Sequence, residues 1–194
     1  MFSILTLNKI AACGTDRFSS DYVCGADIEN PTAIMVRSAS MHDMPLSDST
    51  IAIARAGAGT NNIPVEACAE KGVVVFNTPG ANANAVKELV ICGLFMASRK
   101  VAASLEWCKT LKGEGEAVGK LVEKGKSNFA GPEIGGKTLG VIGLGAIGFK
   151  VAKAAEALGM KIVGYDPFLS DAVKAQLSDE TEVVTDINDI FKKR

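Results

Sequence analysis

The chain has 194 residues, 47% of them apolar and 22% charged, with a formal net charge of −1 at pH 7. That length allows one large domain or two small ones, and the composition is that of an ordinary soluble globular protein. No basic excess points to nucleic acid or an anionic membrane surface as a partner, and the apolar runs are too short and interrupted to span a bilayer. The N-terminal MFSILTLNKI has no charged segment ahead of its apolar residues and reads as a first strand, not a signal peptide. Cys13, Cys24, Cys68, Cys92 and Cys108 show no CxxC spacing, and the chain has one histidine. This argues against a zinc site and leaves buried thiols in a reducing cytosol as the plain reading, with no metal expected.

Strand and helix patterns alternate from start to finish, the mark of a parallel α/β architecture. Strands are predicted over 2–7, 33–37, 51–55, 73–76, 138–142, 161–165 and 181–184. Several are short apolar runs with little alternation, as strands buried on both faces require. Helices are predicted over 64–71, 84–109, 147–158 and 171–177. Within 84–109, apolar residues at 86, 89, 90, 94, 95, 97, 101 and 105 describe a helix buried on much of its circumference. The stretch 111–137, LKGEGEAVGKLVEKGKSNFAGPEIGGK, is rich in Gly, Lys and Glu. Because a complete βαβ pattern begins right after it, it reads as a domain junction in preference to a long surface loop.

That pattern is KTLGVIGLGAIGFKVAKAAEALGMKIVGYDP, residues 137–167. A strand ends in Gly143-Leu144-Gly145-Ala146-Ile147-Gly148, a helix follows, and a second strand ends in Tyr165-Asp166-Pro167. A GxGxxG alone is a weak signal, but this one has the strand, helix and acid that a dinucleotide needs. Gly143 permits the tight turn, Gly145 lets a pyrophosphate approach the backbone, and Gly148 lets the helix pack on the strand. The helix N-terminus presents free N–H groups to the phosphates. Asp166 is placed to accept from the adenosine ribose hydroxyls and to repel a 2′-phosphate, so NAD is expected over NADP.

The order of motifs carries a resemblance. IMVRSAS (34–40), IARAGAGTNNIPVEACAEKGVVVFNTPGANANAVKELV (53–90) and GGKTLGVIGLGAIG (135–148) resemble the D-2-hydroxyacid dehydrogenases, over about residues 30 to 190. Within them, RAGAGTNNI and NTPGANANAVKEL are most similar to the branch that oxidises 3-phospho-D-glycerate to 3-phosphohydroxypyruvate, the entry to serine synthesis. The resemblance implies a flavodoxin-like substrate domain over 1–97. The first half of a Rossmann NAD-binding domain then follows over 98–194. It implies that Arg37 and Ser38 face the substrate phosphate, which a guanidinium suits through its forked donors and permanent charge. It implies that the backbone of Gly57-Ala58-Gly59 meets the substrate carboxylate beside the nicotinamide, with Ala58 also against the cofactor. Many relatives carry a hydroxyl or a branch at the Ala58 position, so one side-chain contact is missing here. Asn77 and Asn82 flank the Pro79-Gly80 turn and either orient substrate or loop, Asn82 being the substrate candidate, or serve as turn residues.

In that family an arginine, a glutamate and a histidine perform hydride transfer, all from the second half of the nucleotide domain. None of those motifs occurs before the text ends in TDINDIFKKR, so the resemblance implies a chain cut short before its catalytic residues. His42, beside Asp43, matches a solvated loop position and not the acid–base histidine. The implied partners are the small-molecule substrate and, for the complete enzyme, a second subunit, in the cytoplasm. Alternatives are a dehydrogenase of glyoxylate, hydroxypyruvate or another D-2-hydroxyacid, or a non-catalytic NAD-binding interaction module.

Overall fold

The protein is described here by a computed structural model covering residues 1–192. It divides into two compact units, Met1–Asn82 and the chain from Ala83 onward. The expected boundary at 97/98 therefore falls within a helix of the second unit, and 111–137 also lies inside that unit.

The first unit contains β1 (Phe2–Leu7), α1 (Ala12–Thr15), β2 (Tyr22–Gly25), β3 (Ala33–Val36), β4 (Ala52–Arg55), α2 (Val65–Glu70) and β5 (Val74–Phe76). Its five strands are parallel in the order β2-β1-β3-β4-β5, the flavodoxin-like winding. Ile34, Val36, Ile53 and Cys68 fill the core, and each large side chain removed from water contributes about 1.5–3 kcal/mol. Register sets the strand ends level: Leu7 lies opposite Val36, Val36 opposite Arg55, and Ala54 opposite Phe76. The residues that follow each strand, Asn8, Arg37, Ala56 and Asn77, thus emerge along one edge. Strand β2 escaped the sequence reading because Tyr22-Val23-Cys24 is a three-residue apolar run whose pairing comes from β1, some twenty residues away. The connection from β3 to β4 forms no helix; Met41, Met44 and Leu46 pack onto the core instead.

The second unit contains α3 (Ala83–Arg99), α4 (Val101–Thr110), α5 (Val118–Gly125), β6 (Thr138–Ile142), α6 (Gly148–Ala157), β7 (Lys161–Tyr165), α7 (Asp171–Lys174), β8 (Glu182–Val183) and α8 (Ile187–Lys192). Strands β6, β7 and β8 form a parallel sheet in that order, a Rossmann-type βαβ arrangement. Its core joins Val141, Leu144, Ala152, Ala155 and Ile162, with Ile91 and Leu94 of α3 packed on it.

Three expectations need correction. The helix predicted over 84–109 is two helices, broken at Lys100, which takes a left-handed φ of 48°. The cause is a crossing chain: Gly131 lies so close that a Cβ there would overlap the Ser98 carbonyl oxygen, and Lys100 Nζ donates to the Asn128 carbonyl. Nor is this helix buried around much of its surface, since Leu89, Phe95, Met96 and Leu105 are exposed. Finally, only Cys68 of the five thiols is buried, whereas Cys13, Cys92 and Cys108 lie on exposed helix positions. Burial pushes the Cys68 thiol pKa up.

Candidate functional site

In the second unit the chain leaves β6 through Gly143, whose φ of 88° closes the turn. Its N–H donates to the Tyr165 carbonyl at 2.7 Å, tying the turn to the end of β7. Leu144 then plunges into the core, 1% exposed, against the space left by Gly164. This side chain anchors the loop from below. A Cβ on Gly148 would overlap the Gly143 carbonyl oxygen and sit 3.2 Å from Val141, so only glycine lets α6 start here. Gly145 has the opposite surroundings: a Cβ there would meet nothing within 4 Å. The space above it is open to a ligand.

The N–H groups of Gly145, Ala146 and Ile147 find no acceptor among the described residues, and no side chain caps α6. They form a row of donors at the positive end of a ten-residue helix, which suits a pyrophosphate. Asp166 closes the site. Its Oδ2 accepts from Leu144 N–H at 2.8 Å and its Oδ1 from Phe168 N–H at 2.9 Å. A carboxylate has about four acceptor positions, so capacity remains for two ribose hydroxyls. Tyr165 is half-buried, Pro167 is exposed, and together they carry Asp166 out of β7. The residues present thus fit the adenosine half of a dinucleotide.

The first unit presents a second anion-receptive surface at the level strand ends. Arg37 and Ser38 follow β3, both exposed, and Arg37 makes no ion pair among the described residues. Gly57 N–H is already used, closing a turn onto the Arg55 carbonyl at 2.9 Å. The N–H groups of Ala58 and Gly59 have no acceptor among the described residues. Asn77 Nδ2 donates to the Ala58 carbonyl at 2.7 Å, and Thr78 N–H donates to Gly57 at 2.9 Å. Asn77 therefore orients the loop. Asn82 makes no side-chain hydrogen bond among the described residues, and His42 Nε2 lies 2.9 Å from the Asn61 carbonyl.

Sequence reasoning passed over Arg55. Its guanidinium folds back so that a Cβ on Gly57 would overlap it, and Nε is buried without a hydrogen-bond partner among the described residues. The signal was present in RAGAG: a cation at a strand end, directly before a glycine-rich loop. A guanidinium packed against Gly57, in a loop with two free N–H groups, favours a carboxylate or phosphate.

Comparison with known proteins bears on both units. Residues 91–193 match the family model described as D-isomer specific 2-hydroxyacid dehydrogenase, NAD binding domain. D-3-phosphoglycerate dehydrogenase of Methanocaldococcus jannaschii is 41% identical over 141 residues, which are 73% of this chain and 24% of that protein. The Mycobacterium bovis D-3-phosphoglycerate dehydrogenase is 34% identical over 193 residues, 94% of this chain and 34% of its own length. Among solved structures, NAD+-bound 3-phosphoglycerate dehydrogenase of Entamoeba histolytica superposes with a TM-score of 0.68 at 27% identity, over 99% of this chain and 60% of that one. The TT0316 protein of Thermus thermophilus gives a TM-score of 0.75 at 20% identity, a likeness of fold. The chain spans about a quarter to a third of the length of the curated relatives it matches. The family match spans the glycine loop, its acid and the βαβ winding, and the chain belongs to the D-isomer-specific 2-hydroxyacid dehydrogenase family.

Proposed function

We propose that this chain supplies the substrate-recognition and adenosine-binding parts of an NAD-dependent enzyme oxidising 3-phospho-D-glycerate to 3-phosphohydroxypyruvate. One observation carries the cofactor half: Asp166, hydrogen-bonded to the loop it faces, beside three free N–H groups at a helix start. The substrate half is supported by two arginines, Arg37 and Arg55, at neighbouring strand ends of one sheet. A doubly anionic molecule, phosphate at one end and carboxylate at the other, suits that pair.

In the overall reaction the C2 hydroxyl loses a proton and C2 loses a hydride, giving a ketone. NAD, when bound, supplies the acceptor for that hydride. The residues of this chain do the holding: Arg37 and the Ser38 hydroxyl meet the phosphate, and Arg55 with the Ala58 and Gly59 N–H groups meets the carboxylate. The N–H groups of Gly145, Ala146 and Ile147 meet the pyrophosphate, and Asp166 accepts from the ribose. Asp166 also repels a 2′-phosphate. Among the described residues no proton acceptor is assigned, because His42 Nε2 lies against the Asn61 carbonyl. General acid–base catalysis is worth roughly 10²–10⁴ in rate, so residues 1–194 alone should bind but form no measurable NADH.

The setting proposed is a homodimer in the cytoplasm, paired through the exposed apolar residues of α3 and α4. Among the described residues no helix is long and apolar enough to cross a membrane. Titration calorimetry tests the cofactor assignment. Wild type should favour NAD over NADP, and Asp166→Ala should lose roughly tenfold or more in NAD affinity. Equal affinity of the wild type for both cofactors would overturn it.

A further inference from the structure

Four strands of the first unit end level, and the winding order reverses between β1 and β3. In an open α/β sheet that reversal leaves a crevice outside the carboxyl ends of the strands. Asn8, directly after β1, and Arg37-Ser38, directly after β3, face each other across it. Asn8 is strained for a residue with a side chain: its φ is 68°, in the left-handed region. Asparagine tolerates that region better than most residues, and such positions persist where surroundings over-determine them.

What over-determines Asn8 is its side chain. Oδ1 accepts from Ser38 N–H and from Ala39 N–H, both at 2.8 Å. Two consecutive peptide planes are thereby fixed by one atom. The far side of the same segment is held as well: Asn62 Nδ2 donates to the Ala39 carbonyl at 2.8 Å, and Met41 N–H donates to the Asn62 carbonyl at 2.8 Å. Asn62 lies three residues beyond Gly59, so the segment carrying Arg37 and Ser38 is clipped to the loop proposed to hold the carboxylate.

We infer that Asn8 is a positioning residue for the phosphate of the substrate, acting through Ser38 and Arg37. This rests on the phosphoglycerate reading above and deepens it. With the Ser38 and Ala39 N–H groups both engaged by Asn8, neither is offered to the phosphate. Recognition is left to the Arg37 guanidinium and the Ser38 hydroxyl, at a spacing from the 57–59 loop that the clip sets. The site then selects for the distance between phosphate and carboxylate as well as for their charges.

The test uses the full chain and two variants. Asn8→Gly keeps the left-handed backbone and removes the acceptor; Asn8→Asp keeps an acceptor in place. Binding of 3-phospho-D-glycerate, D-glycerate and ADP-ribose is measured by calorimetry, with amide hydrogen exchange at Ser38 and Ala39. Asn8→Gly should lose protection at both amides and bind 3-phospho-D-glycerate roughly tenfold more weakly, the loss of about two neutral hydrogen bonds. D-glycerate and ADP-ribose should bind as before. Asn8→Asp should keep the two amides protected.

Unchanged 3-phospho-D-glycerate affinity in Asn8→Gly would overturn the inference alone. So would an equal loss for D-glycerate, which marks general loosening of the sheet end. Should Asn8→Gly fail to fold, exposed Ser38 and Ala39 amides in a folded Asn8→Asp would sink it. A wild type that binds both acids equally would instead defeat the phosphate reading, and this inference with it.

Discussion

The two parallel sheets end in loops whose shapes are held by different means. After β6 the backbone does the work: glycines shape the turn, N–H groups are left free, and one carboxylate steadies the loop. After β1, β3, β4 and β5 it is side chains that hold backbone, with Asn8, Asn62 and Asn77 each bonded to main-chain groups 19 to 31 residues away. The first plan suits a group that recurs in many proteins, because shape and helix polarity alone receive a pyrophosphate. The second suits a particular substrate, since each asparagine can be exchanged to move one contact without rebuilding the loop.

Substitutions at the glycines would break this comparison most severely. Gly148→Ala drives a Cβ into the Gly143 carbonyl, where neither backbone segment can move away. We expect roughly 2–3 kcal/mol of lost stability and no dinucleotide binding, read from denaturant unfolding and calorimetry. Gly145→Ala sharpens the point, because its Cβ enters open space. Stability should change by no more than about 0.5 kcal/mol while NAD affinity falls. A normal affinity in Gly145→Ala would show that the pyrophosphate does not approach there.

A smaller effect is expected on the side-chain plan. Asn77→Ala removes one hydrogen bond to the Ala58 carbonyl, worth about 1 kcal/mol. Affinity for 3-phospho-D-glycerate should drop several-fold with ADP-ribose binding unchanged. Equal losses for both ligands would erase the distinction between the two loops.

The smallest effect lies outside both sites, at the start of α8. There Asp186 accepts from the Asn188 backbone N–H and from its side chain, both at 2.9 Å, and these bonds hold its carboxyl below the usual carboxylate range. A lowered folded-state pKa contributes stability above the unfolded value of about 3.9. That contribution is lost as pH falls through the folded value. The Asn188 amide should stay protected through pH 4 and open only below it, and Asp186→Ala should abolish that dependence. Hydrogen exchange across an acid titration reads both.

These contrasts also explain what the amino-acid text disclosed. The dinucleotide cradle was legible because its parts sit at fixed local spacing, six residues for the glycines and one helix and one strand more to Asp166. Strands β1, β3, β4, β6 and β7 were legible from short apolar runs. Lys100 was not, since nothing near it in sequence announces that Gly131 will cross the helix end. Asn8 was passed over for the same reason: its partners Ser38 and Ala39 are set by strand register, which single positions do not display. Leu144 shows a finer limit, for it sits within the glycine motif yet its side chain belongs to the core.

The helix-free crossover from β3 to β4 has a chemical consequence. A helix would present a fixed stripe to the sheet, whereas here two thioethers, Met41 fully buried and Met44 half-buried, share the filling with Leu46. Methionine adapts to irregular gaps, which lets an irregular segment seal a core. The same atoms make the seal oxidisable. Peroxide reaching the half-exposed Met44 would place a polar sulfoxide against apolar neighbours, and loosening there would admit oxidant to Met41 beneath. Oxidative damage to this seal therefore falls on the segment that carries Arg37 and Ser38 and not on the glycine loop.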